Sequence, residues 1–189
     1  LPYPKYFQFA APGIGGAMEN ISLVSWDDCW VADERFREEM GWLIDLINVH
    51  EMAHTWFGDA VVIRDYAHAW LKEGWATYVE VVWQEETQST EDAHIHLVQK
   101  ARSYCAESDE RYARPIVTRH FDSGWDMFDH HLYPGGAWRL HMLRHTLGDD
   151  TFWAAVSDYL EQYTDKVVET ADFRRVLEQH SGRSLARFF

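Results

Sequence analysis

Residues 49–57 read VHEMAHTWF, a segment in which two histidines and a glutamate interrupt an otherwise apolar helical pattern. Burying imidazole and carboxylate groups without partners costs on the order of several kcal/mol. On a helix, residues four apart stand on one face, so His50 and His54 direct both imidazoles at a common point. Glu51 lies one position round the helix. The spacing therefore predicts that a bound cation compensates for burying these groups.

Two histidines at this spacing with a glutamate after the first form the H-E-x-x-H pattern. In this pattern two neutral imidazoles bind zinc, and the glutamate acts as a general base. Zinc needs a third protein ligand and keeps a fourth position for water. Glu73 follows His54 by nineteen residues, near the start of the next predicted helix. We therefore predict one Zn²⁺ per chain, bound by His50, His54 and Glu73, with Glu51 as catalytic base. The alternative is a helix that matches the pattern by chance.

Two further residues share a helical face with Glu73, Thr77 at i+4 and Glu80 at i+7. Both are predicted to support the ligands, and Glu80 in particular to accept the free N–H of a liganding histidine and fix its tautomer. A solvated surface carboxylate is the alternative for Glu80. The other histidines are interpreted as surface or core residues, namely His68, His94, His96, His120, His130, His131, His141, His145 and His180.

Composition limits the class of protein. The 189 residues are 47% apolar and 15% aromatic, which indicates a globular chain. A formal net charge of −14 argues against nucleic acid and anionic membranes as partners. No apolar run is long enough to span a membrane. Cys29 and Cys105 are too few for a disulfide framework and are predicted to be buried thiols. The compartment stays open, with the cytoplasm favoured.

Periodicity predicts a mainly α fold with a small β edge region. Residues 1–35 are predicted to form loops and edge strands, and 111–126 a loop. A helix buried in the middle of the domain is predicted over 36–57, ended by Gly58. A short strand is predicted at 60–64. Further helices are predicted at 67–86, from Thr90, at 134–147, at 150–163 and at 170–180, with Thr90, Asp150 and Thr170 as capping candidates.

Three motifs occur in order along the chain: GGAMEN at 15–20, HEMAH at 50–54 and WLKEGWATYVE at 70–80. With them the chain resembles the aminopeptidase N-type gluzincins, a zinc metallopeptidase family that also contains the leukotriene-epoxide hydrolase. The resemblance runs the full length and implies one thermolysin-like (zincin) catalytic domain over 1–189. It divides this domain into a substrate-binding edge (1–35), zinc-binding helices (36–110) and a helical lobe with a catalytic tyrosine (111–189).

The resemblance also implies how a substrate is bound. In the family, the backbone of the Gly-Ala-Met-Glu-Asn strand pairs with the peptide, which assigns this role to Gly16, Ala17 and Met18. The glutamate of the motif, Glu19, would bind the free α-ammonium and restrict cleavage to the first residue. On the sequence alone, Glu19 in a glycine-rich turn would be a solvated loop residue.

YPGGAW places Tyr133 where the family has a tyrosine that stabilises the oxyanion. A buried packing tyrosine is the alternative. The chain departs from the family at three positions: Gly135 replaces the usual lysine, Lys72 replaces an asparagine and Asp59 replaces another. Lys72 and Asp59 are expected to alter local hydrogen bonding without touching a metal ligand.

The expected activity is zinc-dependent hydrolysis of the N-terminal bond of peptides that have a free N-terminus. The alternatives are a bifunctional epoxide hydrolase and aminopeptidase, and a non-catalytic scaffold that retains the fold. The chain begins at Leu1 and ends in SLARFF without a cap, which indicates a fragment truncated at both ends. Its missing flanking domains are therefore expected partners, and one of them would give a second acidic contact to the ammonium.

Overall fold

The computed structural model describes residues 1–189, and helices dominate it as predicted. The helices are α1 (Glu34–His54), α2 (Trp70–Thr87), α3 (Thr90–Glu110), α4 (Tyr133–Leu147), α5 (Asp149–Tyr163) and α6 (Thr170–Ser181). The strands are β1 (Phe7–Ala11), β2 (Ala17–Met18), β3 (Leu23–Asp27), β4 (Val61–Ile63) and β5 (Lys166–Val168). Short 3₁₀ turns occur at 28–30, 66–68 and 124–127. The predicted fold class, mainly α with a small β region, is confirmed.

The N-terminal segment forms a three-stranded sheet in the order β1-β3-β2. β1 runs parallel to β3, with Phe7 opposite Leu23. β2 runs antiparallel to β3, with Ala17 opposite Trp26 and Met18 opposite Ser25. One edge of β2 is therefore unpaired within the chain and can accept a further strand.

Helix α1 begins at an N-cap, because the Asp33 carboxylate accepts a hydrogen bond from the Phe36 amide at 2.8 Å. The prediction of a helix buried in the middle of the domain is wrong for most of this helix. Its buried residues lie mostly towards the C-terminal end, where α2 packs against it, whereas Trp42 is 58% exposed. After His54 the chain turns through Gly58, whose φ of +128° favours glycine.

Helix α2 lies at the centre of the core and packs against α1, α3 and α4. Its fully buried aromatic residues explain this position: Trp75 stacks on Phe57 with ring centroids 4.4 Å apart and also contacts Phe152 and Phe173. Aromatic side chains of this size dominate the burial energy of a core. The helix that carries Glu73 is thus rigidly held.

The C-terminal part contains a strand that the sequence pattern did not predict. β5 pairs in parallel with β4, with Val62 opposite Val167. The capping predictions are late by one residue at Thr90 and Thr170 and by two at Asp150. Ser89 caps α3 by accepting from the Asp92 amide, Gly148 is the N-cap of α5, and a capping box of Glu169 and Asp172 spans the start of α6.

The two cysteines differ from the prediction of buried thiols. Cys29 and Cys105 are both free and exposed, so that prediction is wrong. Cys29 lies in a surface 3₁₀ turn and Cys105 on the outer face of α3, and neither position faces the core. No helix in the structure combines the length and apolar character needed to cross a membrane.

Candidate active site

The structure brings His50, His54 and Glu73 together where α1 and α2 pack. The Nε2 atoms of His50 and His54 lie 3.4 and 3.2 Å from Oε2 of Glu73. All three donor atoms lie within 4.8 Å of one another. Glu73 and His54 are buried and His50 nearly so. The helical spacing at 50 and 54 thus produces the convergence that it predicts.

The outer nitrogen of each imidazole has a hydrogen-bond partner. Nδ1 of His50 lies 2.7 Å from Oε1 of Glu80, and Nδ1 of His54 lies 2.9 Å from the carbonyl of Phe57. Because both partners are acceptors, each Nδ1 donates and each Nε2 is left to face Glu73. Glu80 thus makes the contact that the sequence predicted. Nothing in the sequence pattern pointed to the Phe57 carbonyl, since a backbone acceptor leaves no side-chain signature.

The geometry of these donors fits a zinc ion. Ligands at zinc distances of about 2.0–2.2 Å around a tetrahedral ion are separated by about 3.3–3.6 Å. The Nε2–Oε2 separations of 3.4 and 3.2 Å lie within or just below that range. Burial opposes ionisation of Glu73, but the imidazoles of His54 and His50 outweigh burial and hold its pKa well below the usual value. The carboxylate is therefore charged, as a metal ligand must be.

Glu51 lies beside these donors and is buried, and its Oε2 has no hydrogen-bond partner within the chain. Burial raises the pKa of Glu51, and the neighbouring imidazoles of His54 and His50 partly offset this. A buried carboxylate oxygen without a donor is costly unless a ligand or a water molecule supplies one. This oxygen is therefore placed as an acceptor for a proton from within the pocket.

The glycine-rich strand lies alongside the same pocket. β2 is the edge strand next to α1, and the main chain of Gly16 accepts a bond from the Asp27 amide at 2.8 Å on its inner side. Glu19 follows directly, with one carboxylate oxygen within 4.8 Å of donor atoms of Glu51 and His54. Glu19 is mostly buried, so it is not the solvated loop residue that the sequence alone would suggest.

Tyr133 is the first residue of α4 and reaches the same region from the opposite side. The centroid of its ring lies 6.0 Å from that of His50, and the two ring planes are inclined by 29°. Burial and the carboxylates of Glu73 and Glu19 raise the pKa of Tyr133, so the phenol keeps its proton and can donate a hydrogen bond. The neighbouring departure from the family has a packing reason. A Cβ at Gly135 would lie 2.9 Å from the ring of Tyr104, which with Arg139 fills the space of a larger side chain.

A model of the peptidase family M1 domain matches residues 1–189, the whole chain. The chain belongs to peptidase family M1. Among its relatives, rice aminopeptidase M1-D is 32% identical over 96% of this chain, and aminopeptidase N of Streptomyces lividans is 28% identical over 97% of it. The M1 chain spans only 21–22% of the length of these two relatives.

Solved structures of M1 peptidases have the same fold. An M1 zinc metallopeptidase mutant from Deinococcus radiodurans, bound to a Tyr-Ser-Ala substrate, superposes with a TM-score of 0.73 at 26% identity. The match covers 94% of this M1 chain and 36% of that one. A two-domain M1 zinc metallopeptidase mutant bound to L-arginine superposes equally well.

The prediction that Lys72 does not touch a metal ligand is wrong. Its ammonium lies 2.9 Å from Oε1 of Glu73 and contacts Glu19, so this departure of the M1 chain does touch a predicted metal ligand. Burial opposes the charge of Lys72, but Glu73 and Glu19 outweigh burial and raise its pKa above the usual value. The only signal in the sequence was adjacency to Glu73. Asp59 contacts His54 through the backbone, its amide donating to the His54 carbonyl at 3.0 Å.

Thr77 does not make the supporting contact that was predicted for it. It is buried, and its hydroxyl has no hydrogen-bond partner within the chain. Its place on α2 is correct, but the side chain contributes packing rather than a bond to a ligand.

A second group of metal-type side chains, Glu107, Asp129 and His131, lies away from this site. Here Arg114 already supplies the positive charge, with Nε and Nη2 donating to the two oxygens of Asp129 at 2.7 and 2.6 Å. His131 lies 3.2 Å from Glu107 through Nδ1 and accepts the Arg114 amide at Nε2. Its groups satisfy one another, so this cluster is a structural network, in keeping with the interpretation of His131 as a core residue.

Proposed function

We propose that this chain forms the catalytic centre of a zinc-dependent aminopeptidase. The observation that supports the proposal most directly is the convergence of two Nε2 atoms and one carboxylate oxygen at zinc spacing, beside a buried glutamate oxygen that lacks a donor. The relatives named aminopeptidase and the M1 neighbour bound to a peptide support the same activity. One zinc per chain would be held by His50, His54 and Glu73.

In this proposal residues 1–189 act as one catalytic domain. The edge at 1–35 positions the peptide, the helices of 36–110 hold the ligands, and the lobe of 111–189 supplies Tyr133. Because the chain spans about a fifth of its relatives, further domains of the same polypeptide are proposed to complete the substrate pocket.

Each residue then has a chemical task. When bound, zinc would supply Lewis-acid chemistry, polarising the scissile carbonyl and making a water molecule acidic near neutral pH. Glu51 accepts the proton of the attacking water and delivers it to the departing amine. Tyr133 donates a hydrogen bond to the oxyanion that develops on the scissile carbonyl. Glu80, through its bond to Nδ1 of His50, keeps the imidazole in the tautomer that a metal requires.

The substrate is proposed to add a strand to the sheet. The open edge of β2 at Gly16, Ala17 and Met18 can pair with an extended peptide by main-chain hydrogen bonds. The α-ammonium at the end of that peptide would meet Glu19, which follows β2 directly. Binding the ammonium there places the first peptide bond near Glu51 and restricts cleavage to the N-terminal residue.

The proposal is tested with Glu51→Gln in the full-length protein. Metal analysis is expected to find about one zinc per chain in both proteins, while hydrolysis of a fluorogenic amino-acid amide falls to background in the variant. Glu38→Gln, an exposed residue on the same helix, is the matched control and should retain full activity. Cleavage of internal bonds of a longer peptide, with its N-terminal residue left attached, would refute the aminopeptidase assignment. Full activity of Glu51→Gln would refute the assigned base, and a zinc-free, inactive wild type would favour the scaffold.

A further inference from the structure

The side chain of Lys72 lies inside the pocket rather than in solvent. Only 14% of it is exposed, and its stem runs over the turn at Gly58, where a Cβ would lie 3.4 Å from Lys72 Cβ and Cδ. Its ammonium contacts Oε1 of Glu19 and lies 2.9 Å from Oε1 of Glu73. The ring of Phe128 closes a further side, 6.0 Å from Nζ, at the distance of a cation–π contact.

These contacts place a fixed positive charge on the residue proposed to recognise a positive charge. Glu19 is itself mostly buried, with 13% of its side chain exposed, so water does not screen the pair strongly. A substrate ammonium that binds Glu19 must share the carboxylate with Lys72 or displace it. Sharing brings two like charges within several ångströms, and displacement strips Lys72 of a buried partner.

We infer that Lys72 is a specificity-determining residue that competes with the α-ammonium of the substrate for Glu19. This inference rests on the proposed function, since Glu19 binds the amine only if the chain acts on peptide N-termini. The site consequently gains little affinity from a free ammonium and tolerates an uncharged N-terminal group better than the same site without the lysine.

Lys72 also restrains Glu73. The ammonium holds Oε1 of Glu73, while Oε2 faces His50 and His54. One oxygen of the carboxylate is therefore assigned to Lys72 and the other to the proposed metal. Any variant at Lys72 must accordingly be checked for zinc content, so that an effect on the metal is not mistaken for an effect on the amine.

The test measures binding of the peptide Tyr-Ser-Ala and its N-acetylated form by calorimetry. The full-length, zinc-loaded protein is used in the Glu51→Gln background, so that neither peptide is consumed. A hydrogen-bonded charged contact made without competition favours the free amine by about tenfold or more. With Lys72 present we expect a preference below about tenfold. A larger preference in this protein would by itself overturn the inference.

Variants at Lys72 supply the second arm. Lys72→Met keeps the stem and removes the charge, and it should raise the preference for the free amine by at least about tenfold. Lys72→Arg retains the charge. Lys166→Met removes an exposed charge that bonds only the Gln162 carbonyl. Both variants should leave the preference unchanged. An unchanged preference in Lys72→Met at equal zinc content would also overturn the inference. Lys72→Gln, which can still donate to Glu19, replaces the methionine variant if that protein does not fold.

The two proposals fail in different ways. If the full-length wild type cleaves the amino-acid amide but Lys72→Met keeps the original preference, only the inference about Lys72 is refuted. If the wild type cleaves no amide and binds neither peptide, the proposed function is refuted first.

Discussion

Gly74 and Gly136 lie backbone to backbone where α2 crosses α4, so closely that a Cβ on Gly136 would be 2.7 Å from Cα of Gly74. The reverse contact, from a Cβ on Gly74 to Cα of Gly136, would be 2.9 Å. Both distances are shorter than carbon atoms tolerate, so neither position accepts a side chain without moving a helix. Glu73 precedes one glycine and Tyr133 lies one turn before the other. The pair therefore sets the distance between the proposed metal ligand and the proposed oxyanion donor.

Gly136→Ala is expected to destabilise the protein by about 1–3 kcal/mol, because the new methyl group overpacks a backbone contact. Urea unfolding of the zinc-loaded full-length protein measures this. Gly41→Ala is the matched control: it is also a helical glycine, but its Cβ would meet only the flexible Arg37 side chain at 3.4 Å. That variant should gain about 0.5–1 kcal/mol from the lower entropy of its unfolded chain. Equal effects at the two positions would contradict the close helix crossing.

Glu80→Gln is expected to weaken zinc binding by about 10–100-fold, the usual cost of removing the carboxylate partner of a liganding histidine. The carboxylate lies 2.7 Å from Nδ1 of His50 and also contacts Lys100 at 2.8 Å. Competition with a chelator of known affinity gives the dissociation constant. Glu85→Gln on the same helix is the control, since Glu85 pairs with Arg144 and not with a histidine. A zinc affinity equal to that of the wild type would show that Glu80 is not needed to orient His50.

Asp129 gives a pH-dependent contribution to stability. Burial opposes its ionisation, but the hydrogen bonds and charge of Arg114 outweigh burial and hold the pKa of Asp129 below its usual value. A carboxylate with a lowered folded pKa stabilises the fold fully above its unfolded pKa of about 3.9, and this stability is lost as the pH falls through the folded pKa. The carboxylate also accepts the amide of Leu132 at 2.9 Å, directly before Tyr133.

Asp129→Asn is therefore expected to lower the free energy of unfolding at pH 7 by about 3 kcal/mol, because Arg114 loses its buried partner. The difference from the wild type should shrink as the pH falls from 5 to about 3. Urea unfolding is measured across this pH range with chelator in every sample. Zinc release then cannot be the cause of the change in stability. Asp149→Asn removes a carboxylate that is 62% exposed and pairs with Arg144, which keeps Glu85 as a second partner, so it should cost under about 1 kcal/mol. A difference that grows towards low pH would have the wrong sign.

The sequence predicted those parts of the site that depend on local geometry. Helical spacing alone brings His50 and His54 together, and Glu73 lies in the first turn of the next helix along the chain. Prediction from the sequence failed where contacts depend on elements that are distant in the chain. The three residues of β5 are too few to show a period, and they form a strand only because β4 lies beside them.

Lys72 is the clearest example of this limit. Its neighbour in the sequence indicated only that it lies near a ligand, whereas its partner Glu19 comes from a turn more than fifty residues earlier. The direction of its ammonium is fixed by the packing of β2 against α1, which no local pattern encodes. The network of Arg114 and Asp129 was missed for the same reason, since both residues lie in or beside a segment without periodicity.

Tyr133→Phe tests the proposed oxyanion donor. The phenol lies at the start of α4, beside His50, and its raised pKa keeps the proton on the oxygen at neutral pH. Removing one donor to a developing oxyanion costs about a hundredfold or more in kcat. The substrate carbonyl carries less charge than the transition state, so KM should change far less. Zinc content and the unfolding midpoint should equal those of the wild type, because the ring is retained.

Tyr163→Phe, on α5 with its hydroxyl bound to Arg175, is the control and should leave kcat unchanged. A kcat within about threefold of the wild type would assign Tyr133 to packing, since a true oxyanion donor is worth far more.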